Sequence, residues 1–436
     1  MSRPFAGRFR RSLLGSLLIA GAFLCASLGV SSSLAEPPPQ LKTRVFGYIP
    51  YWTASKKTWD YRGLTDVALF SVGASDTGSL TSTTFWRSSQ ARTLIDEAHS
   101  RGIHVELAVT NFDPASLHTL LTSPAAVDKL VAALVQEALV TQPGDGLSID
   151  FEGLRGADRQ PLVDFIRKLR VAMKAKSSRS QLSLATPAVD WSKAYDYAAL
   201  AAESDTLFIM GYGYHWSGSS SPGPGAPLSC GSPWGNICLS KTVAEYLAAV
   251  GPAQRHKIIL GLPLYGYDYP ADSDKVGAKA LDSGSAVLYS AARKQVMNRR
   301  YEPVSQSPWY VYTDAKGVLH QVWYDDEQSL GKKIDYIVDQ QLGGIGLWAL
   351  GYEDVSFWTL ISDKLLLSAP PVPAPSLPPL PPASPESPQI EDVPPSLAEA
   401  QGCSLGAASP ASARNALMPL GLLLLSALWR RRLRYN

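Results

Sequence analysis

An α/β fold, a (β/α)8 TIM barrel with a small α+β insertion between the seventh strand and the last helices, is what this sequence predicts. Three observations carry that reading. Short apolar runs alternate with helix-period segments between residues 43 and 367, as in a parallel sheet built from βα units. No Gly-x-Gly-x-x-Gly follows the first strand, which argues against an open nucleotide-binding sheet and against a nucleotide cofactor. The residues with reactive side chains fall at the ends of the expected strands, where a barrel gathers them on one face.

In chain order, strands are expected at 44–49, 66–72, 104–110, 146–152, 181–186, 206–212, 257–262 and 344–350. Each is short, apolar and rich in aliphatic residues, as strands buried on both faces must be. Helices are expected at 90–101, 125–140, 160–176 and 327–341, where apolar residues recur at three- and four-residue spacing. The interval 268–324 is too long for a plain loop and holds strand-like runs at 309–313 and 319–323, so it reads as the insertion.

The chain ends differ from its body. Of 436 residues, 40 are basic and 38 acidic, for a net charge of +2. Residues 1–35 carry four Arg and no acid, and residues 403–436 carry five Arg and no acid. The body, 36–402, therefore holds 31 basic and 38 acidic residues. Such a body gives no footprint for nucleic acid. Arg3, Arg8, Arg10 and Arg11 precede an apolar run to Val30, and Ser33-Leu34-Ala35 supplies small residues before Glu36. Residues 1–35 thus read as a secretory signal with cleavage after Ala35. Cys25 could mark a lipoprotein instead, but Ala22-Phe23-Leu24 fits a lipid-attachment box poorly. In an exported chain, Cys230 and Cys238, eight residues apart in a Gly/Ser/Pro-rich segment, read as a disulfide. Residues 368–401 form a Pro-rich linker, expected as an extended spacer. Residues 402–436 end in an apolar run and an Arg cluster, a pattern for holding the chain to the cell envelope.

The chemistry concentrates in 144–153. On a strand, Leu147, Ile149 and Phe151 face one way, and Ser148, Asp150 and Glu152 the other. Two crowded carboxyls raise the pKa of one, so a proton persists near neutral pH beside an ionised partner. That is the requirement for protonating a glycosidic oxygen. Other strand ends supply Tyr48, Trp52, Asn111, Met210, Tyr212, Tyr214 and Trp348. Aromatic faces stack on sugar rings, and amides and phenols hydrogen-bond hydroxyls and acetamides. The inventory shows no metal-ligand cluster and no Ser-His-Asp order, so no cofactor or metal is expected.

The motif 145–152, with 47–52, 209–212 and 344–352, resembles glycoside hydrolase family 18, the chitinase-like barrels. Residues 324–326 with Ser329, and 221–224, are similar to its bacterial cortex-lytic and chitobiase-like branch. The resemblance covers about residues 43–365 and implies substrate-assisted, retaining hydrolysis of N-acetylglucosamine-containing polysaccharide. It assigns Glu152 as general acid and base, Asp150 as the stabiliser of the cationic acetamide ring, and Tyr212 as its hydrogen-bond donor. Trp348 would floor the subsite, and Tyr48 and Met210 would line the acetamide pocket. Two positions depart from the pattern. Ser148 stands where the family usually has a further carboxylate, and Gly213 where Asp commonly follows the sixth-strand Tyr. The resemblance therefore leaves a catalytically silent glycan-binding protein as the second reading. A structural role for the barrel in the cell envelope is the third. Retained Glu152 favours the enzyme.

Gly402-Cys403-Ser404, the apolar run and the Arg cluster resemble the C-terminal sorting tails of myxobacterial surface proteins, in which the Cys marks processing and lipid attachment. A short membrane anchor with an incidental Cys403 is the alternative; a free thiol is unusual in an exported protein, which favours sorting.

Overall fold

The computed structural model describes residues 41–367 apart from Val296. Ala35 with the leader, the linker and the tail with Cys403 lie outside the described residues. Eight strands form the barrel: β1 (Arg44–Pro50), β2 (Asp66–Ala74), β3 (His104–Asn111), β4 (Gly146–Phe151), β5 (Gln181–Pro187), β6 (Thr206–Met210), β7 (Ile258–Pro263) and β8 (Gly344–Trp348). Each pairs in parallel with the next, and β8 pairs with β1, so the sheet closes. Closure removes the unpaired edges that a parallel sheet would otherwise expose.

Helices pack outside. In the helix Arg159–Lys176, the buried residues Leu162, Val163, Phe165, Ile166, Leu169 and Met173 make one stripe. Phe165 of that stripe stacks on Phe151 of β4 at 5.6 Å, which fixes the outward parity of 147, 149 and 151. Helix starts are capped by short polar side chains: Ser88, Asp113, Ser123, Asp326 and Asp354 each accept from a backbone N–H of the first turn. The segment expected as one helix over 125–140 is a helix Pro124–Gln136 followed by a π turn Glu137–Thr141. β4 and β6 end at Phe151 and Met210, earlier than their sequence patterns suggest, so Glu152 and Tyr212 sit on the loops just past the strands.

The barrel interior is filled in layers. Phe46 stacks on Tyr48 at 5.4 Å, and Phe208 meets both edge-on at 5.6 and 5.0 Å. Phe208 fits because β7 and β8 offer glycines: a Cβ on Gly346 would lie 2.1 Å from its ring, and one on Gly261 2.5 Å. Below this layer, the Arg44 guanidinium donates to both oxygens of buried Asp66, at 2.8 and 3.0 Å, and to Thr206 at 2.8 Å. Glu106, on β3, is buried between the small neighbours Ala68 and Gly146 in register. It accepts a hydrogen bond from Ser183.

After β7 the chain leaves the barrel into a five-stranded antiparallel sheet. Its spatial order is Ser285–Leu288, Tyr265–Pro270, Leu319–Trp323, Ser307–Thr313, Arg299–Glu302. The sheet opens at Tyr265, because Tyr265, Tyr267 and Tyr269 continue an extended run directly from the barrel strand. Trp309 stacks on Trp323 at 4.9 Å, and Trp234 meets Trp323 at 5.1 Å. Trp234 is carried on the loop closed by the Cys230–Cys238 disulfide, whose Cα atoms are 5.2 Å apart.

Burial pushes the Glu106 carboxyl up to about 8, against the opposing bond from Ser183. A raised acid favours the fold fully below its unfolded pKa, near 4.3, and loses that contribution as pH climbs toward 8. Glu106→Gln does not titrate. Its Tm should therefore gain on wild type progressively between pH 5 and 8, by several degrees; a difference independent of pH would contradict this.

Candidate active site

The carboxyl-terminal mouth of the barrel brings together Glu152 past β4, Asp150 and Ser148 on β4, Tyr48 on β1, Tyr212 past β6 and Trp348 closing β8. Parity does the placing. Alternate residues of a strand share a face, so 148, 150 and 152 step up one wall from the packed centre to the rim. Ser148 is fully buried, Asp150 is 6 % exposed and Glu152 is half-buried. The Glu152 N–H donates to the Asn111 carbonyl at 3.0 Å, which ties the acid's backbone to β3.

The Ser148 and Tyr48 hydroxyls share a 2.7 Å hydrogen bond. Tyr48 is in turn 5.7 Å from the Trp348 ring, and Trp348 meets Phe70 edge-on at 4.9 Å. Two polar atoms of this group of residues are buried with no hydrogen-bond partner among the described residues: Asp150 Oδ1 and Trp348 Nε1. A buried acceptor and a buried donor left open are costly unless a ligand completes them.

Burial pushes the Asp150 carboxyl well above the usual range, and the neighbouring Glu152 charge adds to the rise. The two carboxyls titrate as a pair. Burial therefore favours the protonated form of the deeper carboxyl, Asp150, in the unliganded barrel. Burial likewise holds Tyr48 and Tyr212 well above the ordinary phenol range, with the Asp150 charge raising both. Tyr212, which also feels Tyr48 and Glu152, is therefore a neutral phenol that can donate. The arrangement offers a protonatable rim acid, a deep carboxyl able to face a developing cation, a phenol donor and an indole floor.

The remaining sequence-derived positions divide. Trp52 is half-buried beside Phe70 at 6.1 Å, its indole N–H donating to the Tyr352 hydroxyl at 3.0 Å. Met210 is half-buried against the barrel core at the end of β6. Asn111 and Tyr214, expected to offer polar groups to a sugar, have theirs engaged within the protein. The Asn111 amide donates to Ala74 O and Ser116 Oγ at 3.0 and 2.8 Å, and its oxygen accepts from Asp113 N at 3.0 Å. The Tyr214 hydroxyl bonds Thr242 at 2.7 Å. Both residues hold loops of the mouth in place.

Gly213 has φ +79° and no atom within 4 Å of where a Cβ would stand. Left-handed backbone explains Gly here, where a bulkier residue would be strained. The structure also adds residues the motifs do not reveal: Phe70 of β2, and Tyr265, whose ring lies 6.3 Å from Tyr212 and 5.6 Å from Tyr267. The alternation Tyr265-x-Tyr267-x-Tyr269 directly after a barrel strand is the signal that would have found Tyr265.

Tyr48→Phe should strand the buried Ser148 hydroxyl and cost about 1–2 kcal/mol in urea unfolding. Adding Ser148→Ala should recover part of that loss; strictly additive losses would mean the two hydroxyls are not coupled.

Comparison with known proteins agrees with this geometry. The pattern of glycosyl hydrolases family 18 matches residues 44–353. The cortical fragment-lytic enzyme of Bacillus subtilis is 30% identical over 225 residues, 50% of this chain and 49% of that protein. The di-N-acetylchitobiase of Homo sapiens is 26% identical over 358 residues, 71% of this chain and 82% of that protein. The chain spans about half the length of the first of these relatives. The crystal structure of a chitinase from Chromobacterium violaceum superposes with a TM-score of 0.60 at 25% identity, covering 74% of this chain and 98% of that one. With its closed barrel, its acidic strand end and a family match across 44–353, the chain belongs to family 18 of the glycosyl hydrolases.

Proposed function

We propose that this protein is an exported, surface-held glycosidase that cleaves β-1,4-linked N-acetylglucosamine-containing glycans, chitin-like or peptidoglycan, by substrate-assisted retaining hydrolysis. The observation that carries the reading is the Asp150–Glu152 pair, one carboxyl deep and one at the rim, at the barrel mouth that also holds Trp348. Three features support the rest. The names of the relatives point to glycan substrates. Residues 1–35 and the Cys230–Cys238 bridge fit export. The C-terminal tail pattern fits attachment to the envelope.

In this reading the acetamide of the bound sugar lies toward Asp150 and Tyr212. As its oxygen attacks the anomeric carbon, the glycosidic C–O bond breaks and positive charge develops on the new ring. That charge favours ionised Asp150, so the proton of the pair passes to Glu152, which delivers it to the leaving oxygen. The Tyr212 O–H holds the acetamide oxygen in line. Glu152, now ionised, takes a proton from water as that water attacks the anomeric carbon and reopens the ring. Configuration is retained because two inversions occur, without a protein nucleophile, an exception to the two-carboxylate scheme.

Glu152→Gln should lower kcat on chitohexaose or purified peptidoglycan by about 10³-fold, within the range general acids supply, while binding persists. The wild-type rate should fall at both pH extremes. Its alkaline limb should lie above the usual carboxylate range, because the one proton the pair needs is lost only as the raised Asp150 carboxyl ionises. Equal binding with no turnover by either protein would sink the reading in favour of a silent glycan-binding barrel, the alternative that Ser148 and Gly213 motivate.

A further inference from the structure

The amino-terminal end of the barrel, opposite the carboxyl pair, opens into a cup of about 550 Å³, within the size range of small-molecule sites. Arg44, Arg101, Lys174 and Arg179 line it, against the carboxylates Asp66 and Asp205. The body as a whole, residues 36–402, has the opposite balance, with 31 basic and 38 acidic residues. Positive charge gathered in one concavity of an acidic body focuses its field on anions.

Both carboxylates are spent on the protein. Asp66 is buried and accepts from Arg44 Nε and Nη2 at 3.0 and 2.8 Å. Asp205 accepts from Leu182 N at 2.9 Å, and Lys174 stands 3.8 Å from it. The cations are less fully used. Arg101 donates to the Glu97 carbonyl at 2.7 Å and lies over the Tyr61 ring at 4.7 Å, which positions its charge without an ion pair among the described residues. Arg179, on the turn between the helix Arg159–Lys176 and β5, has no hydrogen bond or ion pair among the described residues.

Helix ends account for two of these positions. Arg101 follows the helix Ser89–His99, and Lys174 lies in the last turn of Arg159–Lys176, where cations complement the final carbonyls. They do not account for Arg179, or for the convergence of all four cations on one hollow. Four fixed cations against two carboxylates leave an excess of two charges, and His104 on the same wall adds to it when protonated. A dianion balances that excess. The planar fork of Arg matches phosphoryl oxygens two at a time, and Lys supplies a point charge beside it.

We propose that this cup is a binding site for a phosphoryl dianion, held by Arg101 and Arg179 with Lys174 beside them. The rings of Phe46, Tyr48 and Phe208 stand between the cup and the carboxyl pair. The site is therefore separate from hydrolysis and does not rest on the proposed function.

Calorimetric titration of the full chain with pyrophosphate and with glycerol 3-phosphate, at fixed ionic strength, tests the cup. The first probe is a free anion, and the second carries the same group as an ester. At least one should bind saturably, and that affinity should fall about tenfold in Arg179→Ala and in Arg101→Ala, the size of one lost charge-assisted contact. It should stay within twofold in Lys279→Ala, which removes an exposed lysine from the inserted segment. Arg179 is exposed, so an unchanged Tm without ligand confirms that its variant folds. Tighter binding of pyrophosphate assigns a free anion and tighter binding of glycerol 3-phosphate an ester; either supports the site. No saturable binding of either probe overturns it, as does an equal loss in Arg179→Ala and Lys279→Ala. Hydrolysis of chitohexaose, run in parallel, reads the catalytic proposal separately: anion binding without turnover keeps the cup and sinks the catalysis.

Discussion

Two carboxyls on one strand face, one buried and one at the rim, form the constraint on which the rest of the site depends. Placed in water they would ionise independently. Held by β4 with Asp150 walled in, they titrate together, and desolvation decides where their proton rests. Everything around them serves that inequality. The Glu152 N–H is tied to β3 through the Asn111 carbonyl. Ser148 is locked to Tyr48 beneath, and Trp348 leaves its indole N–H unpartnered beside them. The open acceptor on Asp150 and the open donor on Trp348 are polar groups the folded protein does not satisfy, and a ligand with an amide can.

The barrel makes this possible at a cost borne elsewhere. Its centre is plugged by Phe46, Tyr48 and Phe208, which fit only because β7 and β8 offer glycine at Gly261 and Gly346. Its lower half holds the Arg44–Asp66 pair and the protonated Glu106. The interior is therefore polar at both ends and filled by aromatic rings in the middle. Rigid placement of the mouth loops follows from side chains such as Asn111, Asp190 and Tyr195, whose polar groups are spent on neighbouring backbone.

Much of this was legible in the sequence because it is local. Strands buried on both faces announce themselves as apolar runs, and all eight barrel strands lie within a few residues of where the pattern puts them. The alternation of Ser148, Asp150 and Glu152 gives their common face directly. Burial depth is not local, and there the sequence was silent. Trp86, 0 % exposed, and Trp191, 69 % exposed, look alike in a string of letters. Asn111 and Tyr214 have the right chemistry for a sugar, but partners distant in sequence, Ala74 for one and Thr242 for the other, claim their polar groups. Phe70 and Tyr265 join the site only through closure of the barrel and the turn into the inserted sheet.

The central claim is that the unliganded pair keeps its proton, on the buried Asp150, at neutral pH. Infrared difference spectroscopy of the full chain, with Asp150→Asn as the reference, reads that proton through the carbonyl stretch of a protonated carboxyl. A protonated signal near neutral pH that Asp150→Asn removes is the result predicted. A pair fully ionised at pH 6, with no such signal, would contradict the account.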